Sequence, residues 1–372
     1  MGKMGSSVFH SPEVIIIWSM VLHNARFVAH SLMLRRIFII GCVFLARIAA
    51  LTGRLMGQEE IGLSPTPMPT LGGRQFWADE FFFHQWRIQR NAIDGHYRLL
   101  DEHDFRRASG TYQECRAVLE RVKREQHLPH MSGKAVVVLH GLVRSRSSME
   151  SLCQYLRDKG GYQVFNVSYP STRDDISEHA RSLRRVINSL DGIDEINFVG
   201  HSMGNIVIRH YLGDLVRQEP WKLSANAQAA DRRAVARLHR FVMLGPPNQG
   251  ALLAEVFANN VLFKEIFGES GLQLGRDWPD LEKRLATPTF PFGIIAGGKG
   301  NDKGYNPLLQ GDNDGTISVE TTKLAGADDF IRVPVLHSFL MDNERVQEYV
   351  LHFLKRGYFV SKQERHPLEK EL

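Results

Sequence analysis

Gly200-His201-Ser202-Met203-Gly204 spells G-x-S-x-G between the apolar run EINFV and a helical pattern. A serine hydroxyl is almost wholly unionised at neutral pH and attacks a carbonyl only when a base takes its proton. A sharp strand-to-helix turn would hold the hydroxyl clear of the sheet, with glycines on both sides letting neighbouring backbone come close. The same turn sets the amide of Met203 at a helix N-terminus, where developing negative charge is favoured. The pentapeptide occurs by chance in many chains. The strand before it and the helix after it are what single out Ser202 as a nucleophile.

The partners are sought at other strand ends. VVVLHGLVRSRSSM closes a strand with His140-Gly141, and the next amide, Leu142, is the second candidate oxyanion donor beside Met203. The base should be a histidine downstream, and His337 directly follows FIRVPVL and precedes the last helix. His352 falls inside a helix off its apolar stripe and reads as a solvated residue. His201 and His210 read as packing groups, and His140 as a backbone element of the oxyanion loop. An acid that orients the imidazole is expected in QGDNDGTISVE, where Asp314 precedes Gly315; Asp312 and Asp302 are the runners-up. A calcium loop is the competing reading of D-x-D-G. In that register Gln310 and Thr321 would occupy the first and last ligand positions, where carboxylates are required. The chemistry calls for no metal and no organic cofactor.

Such groups need a scaffold that gathers strand ends. From residue 134 the pattern alternates strand and helix: AVVVLH (135–140), a helix over 147–159, YQVFNVSYP (162–170), then a helix opened by an Asp175/Glu178 capping box. EINFVG, HRFVMLGPP (239–247), FGIIAGG (292–298) and FIRVPV (330–335) are further strands, and a last helix covers 343–355. Alternating βα units predict a doubly wound, mostly parallel α/β sheet, with functional groups beyond the carboxyl ends of its strands. Ahead of it, WRIQRNAIDGHYRLLD (86–101) predicts a hairpin turning at Asp94-Gly95, followed by a helix with Tyr112, Cys115, Val118, Leu119 and Val122 on one face. Residues 250–285 hold more apolar side chains than one helical stripe uses, which fits a small helical lid over about 250–290 or an ordinary core helix pair.

Five segments, VVVLHGL, FVGHSMGN, FVMLGPPNQGA, GDNDGTISVE and VLHSFLMDN, come in the order Ser, Asp, His. In these the chain resembles the α/β-hydrolase superfamily, in its lipase and esterase branch. LGPPNQGA is similar to the strand end before the lid in lipase-like members, including GPI-inositol-deacylase relatives. The resemblance runs over residues 134–356, about three-fifths of the chain, and finds no counterpart in 1–75. It implies an α/β-hydrolase sheet with Ser202 as nucleophile, Asp314 as acid, His337 as base, and Leu142 and Met203 as oxyanion donors. The implied activity is hydrolysis of a carboxylic ester through an acyl-enzyme, with a small-molecule or lipid ester as substrate. An acyltransferase or thioesterase would use the same motifs, and a membrane-tethered binding protein could retain the scaffold without catalysis.

The remainder is addressed by charge and punctuation. Basic and acidic residues are interleaved, so the net charge of +5 is not a nucleic-acid footprint, and RRASGTYQECRAVLERVKREQ reads as solvated helix faces. Three cysteines, Cys42, Cys115 and Cys153, make no disulfide framework and no metal-type CxxC pair; the sequence leaves a Cys115–Cys153 pair open, and small core residues are the expectation. At the N-terminus, Arg35 and Arg36 precede IFIIGCVFLARIAAL, the pattern of a secretory signal or an uncleaved anchor, with a start at Met33 giving a compact signal. Export or membrane anchoring is therefore expected, with contact to a membrane surface. The expected divisions are 1–55 signal or anchor, 56–75 linker, 76–133 hairpin and helix, 134–358 catalytic domain and 359–372 polar tail.

Overall fold

A computed structural model describes residues 68–69, 74–217, 224–250 and 261–369. The expected signal or anchor over 1–55, with Cys42, lies outside these. Among the described residues no helix is long and apolar enough to cross a membrane.

The N-terminal part is a five-stranded antiparallel sheet in the order β1-β5-β4-β3-β2. Its strands are β1 (Met68–Pro69), β2 (Trp77–Phe83), β3 (Trp86–Asn91), β4 (Tyr97–Leu100) and β5 (Phe105–Gly110). The expected hairpin is its centre: β3 pairs with β4 from Arg87↔Leu100 to Arg90↔Tyr97, and Gly95 takes φ 74° in the turn. The sheet is larger than the hairpin because two strands hide from a hydrophobicity pattern. In β2, WADEFFF, both carboxylates are buried. Asp79 accepts from Gln89 Nε2 at 2.7 Å and Ser168 N at 2.6 Å, and Glu80 accepts from Arg90 Nε at 2.9 Å. Strand β5, FRRASG, corrects the helical reading of its residues. The helix, α1 (Tyr112–Glu125), begins only after Thr111, whose side chain and that of Glu114 cap each other's backbone reciprocally. Within the stretch read as linker, Met68 pairs with Arg106 and Pro69 with Phe105.

The chain then alternates β6 (Gly133–Leu139), α2 (Glu150–Gly160), β7 (Gln163–Val167), α3 (Ile176–Ser189), β8 (Ile193–His201), α4 (Met203–Arg217), α5 (Ala225–Val235) and β9 (Leu238–Leu244). It continues through α6 (Val261–Leu274), α7 (Trp278–Glu282), β10 (Phe292–Gly297), β11 (Asp329–Val333) and α8 (Glu344–Arg356). The six long-range strands form one sheet, β11-β10-β9-β8-β6-β7, parallel throughout. This is the expected doubly wound sheet of the α/β-hydrolase type. The strand order reverses between β6 and β8, so the crevice of such a sheet opens at the ends of those two strands.

Burial on both faces explains the unbroken apolar runs. Along β6, Ala135, Val137 and Leu139 join one core while Val136 and Val138 join the other. The first core is shared with the antiparallel sheet through Phe81, Phe82, Trp86, Ile88 and Leu99, with the Phe82 ring 5.4 Å from that of Phe165. Cys115 belongs to the first core and Cys153 to the second, both as free thiols. At α3 only half of the expected capping box forms. Asp175 accepts from Glu178 N at 2.7 Å, but the Glu178 carboxylate turns to Arg90, Arg181 and Arg185. The segment read as a polar tail is tied down: Phe359 is buried, Asp329 accepts from the amides of Phe359 and His366, and Leu368 exchanges backbone bonds with Gly326 and Ala327. The expected lid falls partly on residues 251–260, which are not described. Its described part is α6, broken at Gly268 (φ 65°), and α7.

Candidate active site

Ser202 stands between the end of β8 and the start of α4 with φ 54°, left-handed backbone that costs a non-glycine residue about 1 kcal/mol or more. Three bonds hold it there. Ser202 N donates to Leu244 O at 2.9 Å, and its own carbonyl accepts from Asn205 N at 3.1 Å and Asn205 Nδ2 at 3.0 Å. The flanking glycines are required by space. A Cβ on Gly204 would lie 2.7 and 2.8 Å from the carbonyl oxygens of Leu139 and His140, and one on Gly200 would lie 2.3 Å from Asn205 Oδ1. The turn therefore presses its helix start against the end of β6.

That contact brings up the second loop. A Cβ on Gly141 would sit 3.0 Å from the Cβ of Ser202, so the residue before Leu142 abuts the serine. Neither the Leu142 nor the Met203 N–H is taken up by an acceptor among the described residues. Both remain available as hydrogen-bond donors, as an oxyanion hole requires.

His337 begins a short 3-10 turn after β11 and is buried. Its N–H donates to Asp314 O at 2.9 Å, and its Nδ1 lies 2.6 Å from Asp314 Oδ2. A carboxylate only accepts, so Nδ1 is the donor in this contact and Nε2 is the ring nitrogen turned away from it. Asp314 follows β10 and is itself pinned, its Oδ1 accepting from Thr316 N at 3.0 Å and Ile317 N at 2.7 Å. The ring of His337 fits over Gly245, where a Cβ would lie 3.0 Å from Nδ1. Ser202 is bonded to Leu244 and His337 covers Gly245, so both groups converge on the end of β9.

The runners-up have other tasks. Asp312 accepts from Lys299 N at 2.7 Å and Gly300 N at 2.9 Å, and Asp302 is exposed on its loop. His352 is half-buried rather than solvated, with Nδ1 at 3.0 Å from Phe359 O. His210 is buried in α4 and faces Asp214. Among the described residues no group of side chains is arranged to hold a metal ion.

Residues 130–265 match the family model described as "Putative serine esterase (DUF676)". The matched segment includes β6 to β9 and so holds Leu142, Ser202 and Met203. No curated protein matches the chain by sequence. Among solved structures, the Bacillus licheniformis lipase BlEst2 in mature form is similar at 18% identity and a TM-score of 0.41, over 62% of this chain and 94% of that one. The Listeria innocua lin2722 product is similar at 14% identity and a TM-score of 0.42, over 64% of this chain and 99% of that one.

Within the matched segment, the sequence pattern does not reveal how His201 is used. It packs, as expected, but its Nε2 also lies 3.0 Å from His337 O and its ring 4.7 Å from that of His337. The residue before Ser202 thus clasps the backbone of His337. Burial first, and the neighbouring His337 ring next, hold the His201 imidazole well below its ordinary pKa, so it works as a neutral donor. His140 is held neutral in the same way, pushed down to about 4 by burial, while its ring stacks 4.2 Å from Tyr169.

Proposed function

We propose that the protein is a serine hydrolase of carboxylic esters. In this reading His337 Nε2 takes the proton of the Ser202 hydroxyl as its oxygen attacks the ester carbonyl. The Leu142 and Met203 amides hold the oxyanion, and the imidazolium, stabilised by Asp314, protonates the departing alcohol. Water then adds to the acyl-enzyme by the same route in reverse and releases the acid. The observation that carries the reading is the 2.6 Å contact between His337 Nδ1 and Asp314 Oδ2, made at the strand end that also anchors Ser202.

An apolar acyl group is the substrate class the surroundings favour. Val143 on the oxyanion loop, Leu336 beside the base and Phe339 one turn on are all exposed large hydrophobic residues. A lipid-like ester would cover them, and export or anchoring at a membrane would bring the enzyme to such a substrate. A fluorophosphonate probe should label the wild type and leave Ser202→Ala unlabelled, and p-nitrophenyl esters should be cleaved faster as the acyl chain lengthens from acetate. An unlabelled wild type, or equal labelling of Ser202→Ala, would overturn the catalytic assignment. A rate confined to acetate would remove the lipid-like substrate alone.

A further inference from the structure

Away from the serine, a cavity of about 350 Å³ lies between the antiparallel sheet and the end of β7. Three guanidinium groups line it, from Arg87, Arg98 and Arg146, together with Asp104, Ser168 and the Trp77 ring. Arg87 is buried and pairs with Asp104, with Asp79 3.5 Å away. Arg146 shares the same Asp104, at 3.1 Å.

Arg98 differs from both. Its Nε and Nη2 donate to the neutral Gln89 Oε1, at 2.9 and 2.7 Å, and the amide of Gln89 in turn donates to Asp79. Among the described residues Arg98 makes no direct hydrogen bond or ion pair with a carboxylate, and it is linked to Asp79 through the Gln89 amide. The guanidinium carbon lies 3.8 Å from the centre of the Trp77 ring, which also lines the cavity. Burial, and next the Arg87 charge, push its pKa down to about 10, so it stays protonated at neutral pH without a counter-charge of its own. The lining itself holds three guanidinium groups and one carboxylate, Asp104, with Asp79 behind the Gln89 amide, Glu150 acting on Arg146 and a further cation, Arg106, acting on Arg98.

We propose that this cavity binds a phosphate group. An oxyanion there would supply the missing charge to Arg98 and accept from its uncommitted Nη1, with the Ser168 hydroxyl and the Arg146 fork on the opposite wall. The planar guanidinium suits the tetrahedral oxygens of phosphate better than it suits a point anion. The size leaves room for a substituent on the phosphate. Arg146 lies four residues after Leu142 on the loop Gly141–Ser148, so an occupied site would brace the loop that carries an oxyanion donor. The site does not depend on ester hydrolysis.

Calorimetric titration of the full chain with inorganic phosphate, against chloride at matched ionic strength, tests it. Saturable one-to-one binding is expected, weakened about 10–100-fold in Arg98→Gln, as losing a charged hydrogen bond implies. Arg146→Gln should weaken it less, and Arg345→Gln, on the distant helix α8, should match the wild type. Thermal melts show whether each variant is folded; Arg146→Gln carries the test if Arg98→Gln is not. Co-sedimentation with phosphatidylcholine vesicles, with and without phosphatidate, separates the sources. Retention on phosphatidate that phosphate competes away assigns a lipid headgroup, and phosphate binding without retention assigns a soluble phosphate. No saturable binding by the wild type, or undiminished binding in a folded Arg98→Gln, overturns the proposal.

Discussion

Replacing Asp314 by asparagine changes one atom and tests the acid position with its shape intact. Oδ1 is fixed by the amides of Thr316 and Ile317, at 3.0 and 2.7 Å. In Asp314→Asn the side-chain carbonyl oxygen must keep that place, because an NH2 group there would face two donors. The NH2 is then forced into the position of Oδ2, against His337 Nδ1. Two N–H groups cannot share that contact, so the ring must move its proton to Nε2, the atom that should receive the hydroxyl proton of Ser202. A wrong-tautomer triad loses about 10⁴ in kcat, or about 5–6 kcal/mol of barrier lowering. The assay is steady-state hydrolysis of a p-nitrophenyl ester by wild type and variant at one pH, with a thermal melt of each. Because both backbone bonds to Oδ1 survive, the variant should fold. A folded Asp314→Asn within about tenfold of the wild-type kcat would refute the tautomer argument, since that loss is no more than one hydrogen bond supplies.

Acid should destabilise the fold before the carboxylates titrate. Burial lowers the pKa of His140 to about 4 and of His179 to about 3, and holds His201 well below the ordinary value. Between the unfolded value near 6.5 and these, the unfolded chain binds more protons, so stability is full above about pH 6.5 and falls as the pH drops. Each imidazole contributes on the order of 2 kcal/mol of loss by about pH 5, and a urea midpoint unchanged between neutrality and that pH would contradict it. Gly204→Ala would drive a Cβ into the carbonyls of Leu139 and His140. Overpacking against backbone of this kind should lower Tm by roughly 3–10 °C, and a wild-type melt would mean the elbow is looser than its contacts imply.

Ser202, Asp314 and His337 were legible because each ends or follows an apolar strand, and strand ends are where a doubly wound sheet collects its chemistry. The structure brings Asp314 and His337 into direct contact and sets Ser202 on the same strand end. What the residues hid were groups whose burial depends on a distant partner. Asp79 and Glu80 look like solvent-facing charges in WADEFFF, yet both are buried, because Gln89, Ser168 N, Arg90 and Arg185 come from other elements. Arg106–Gly110 looks helical beside α1 because charge spacing does not report an edge-to-edge pairing with β4. Leu368 looks like part of a solvated tail because its two backbone bonds reach back more than forty residues, to Gly326 and Ala327. The clasp of His201 on His337 O is a backbone contact, which side-chain types alone do not encode.

The antiparallel sheet, which the hydrolase resemblance does not cover, lies next to the loop that carries the Leu142 amide, the oxyanion donor of the proposed mechanism. Val143 in that loop holds φ 59°, strained for a β-branched residue, and such strain persists only where the surroundings over-determine it. The restraints are visible on several sides. Gln75 Nε2 donates to Arg144 O at 2.7 Å, Asp104 holds Arg146, and Asn166 Nδ2 donates to Arg146 O at 2.9 Å. Tyr169 donates its hydroxyl hydrogen to the His140 carbonyl, just before the loop begins. Gln75 and Asp104 come from the N-terminal part, Asn166 and Tyr169 from the strand β7 and the loop that follows it. An oxyanion donor is effective only when its N–H is already aimed before charge develops. The Leu142 amide sits on a loop whose own backbone is strained, so its aim has to be imposed from outside, and half of the groups imposing it belong to the N-terminal part. Under the proposed mechanism the N-terminal part would therefore support the oxyanion loop, to which it is joined by a common core and by the two contacts that fix Arg144 and Arg146.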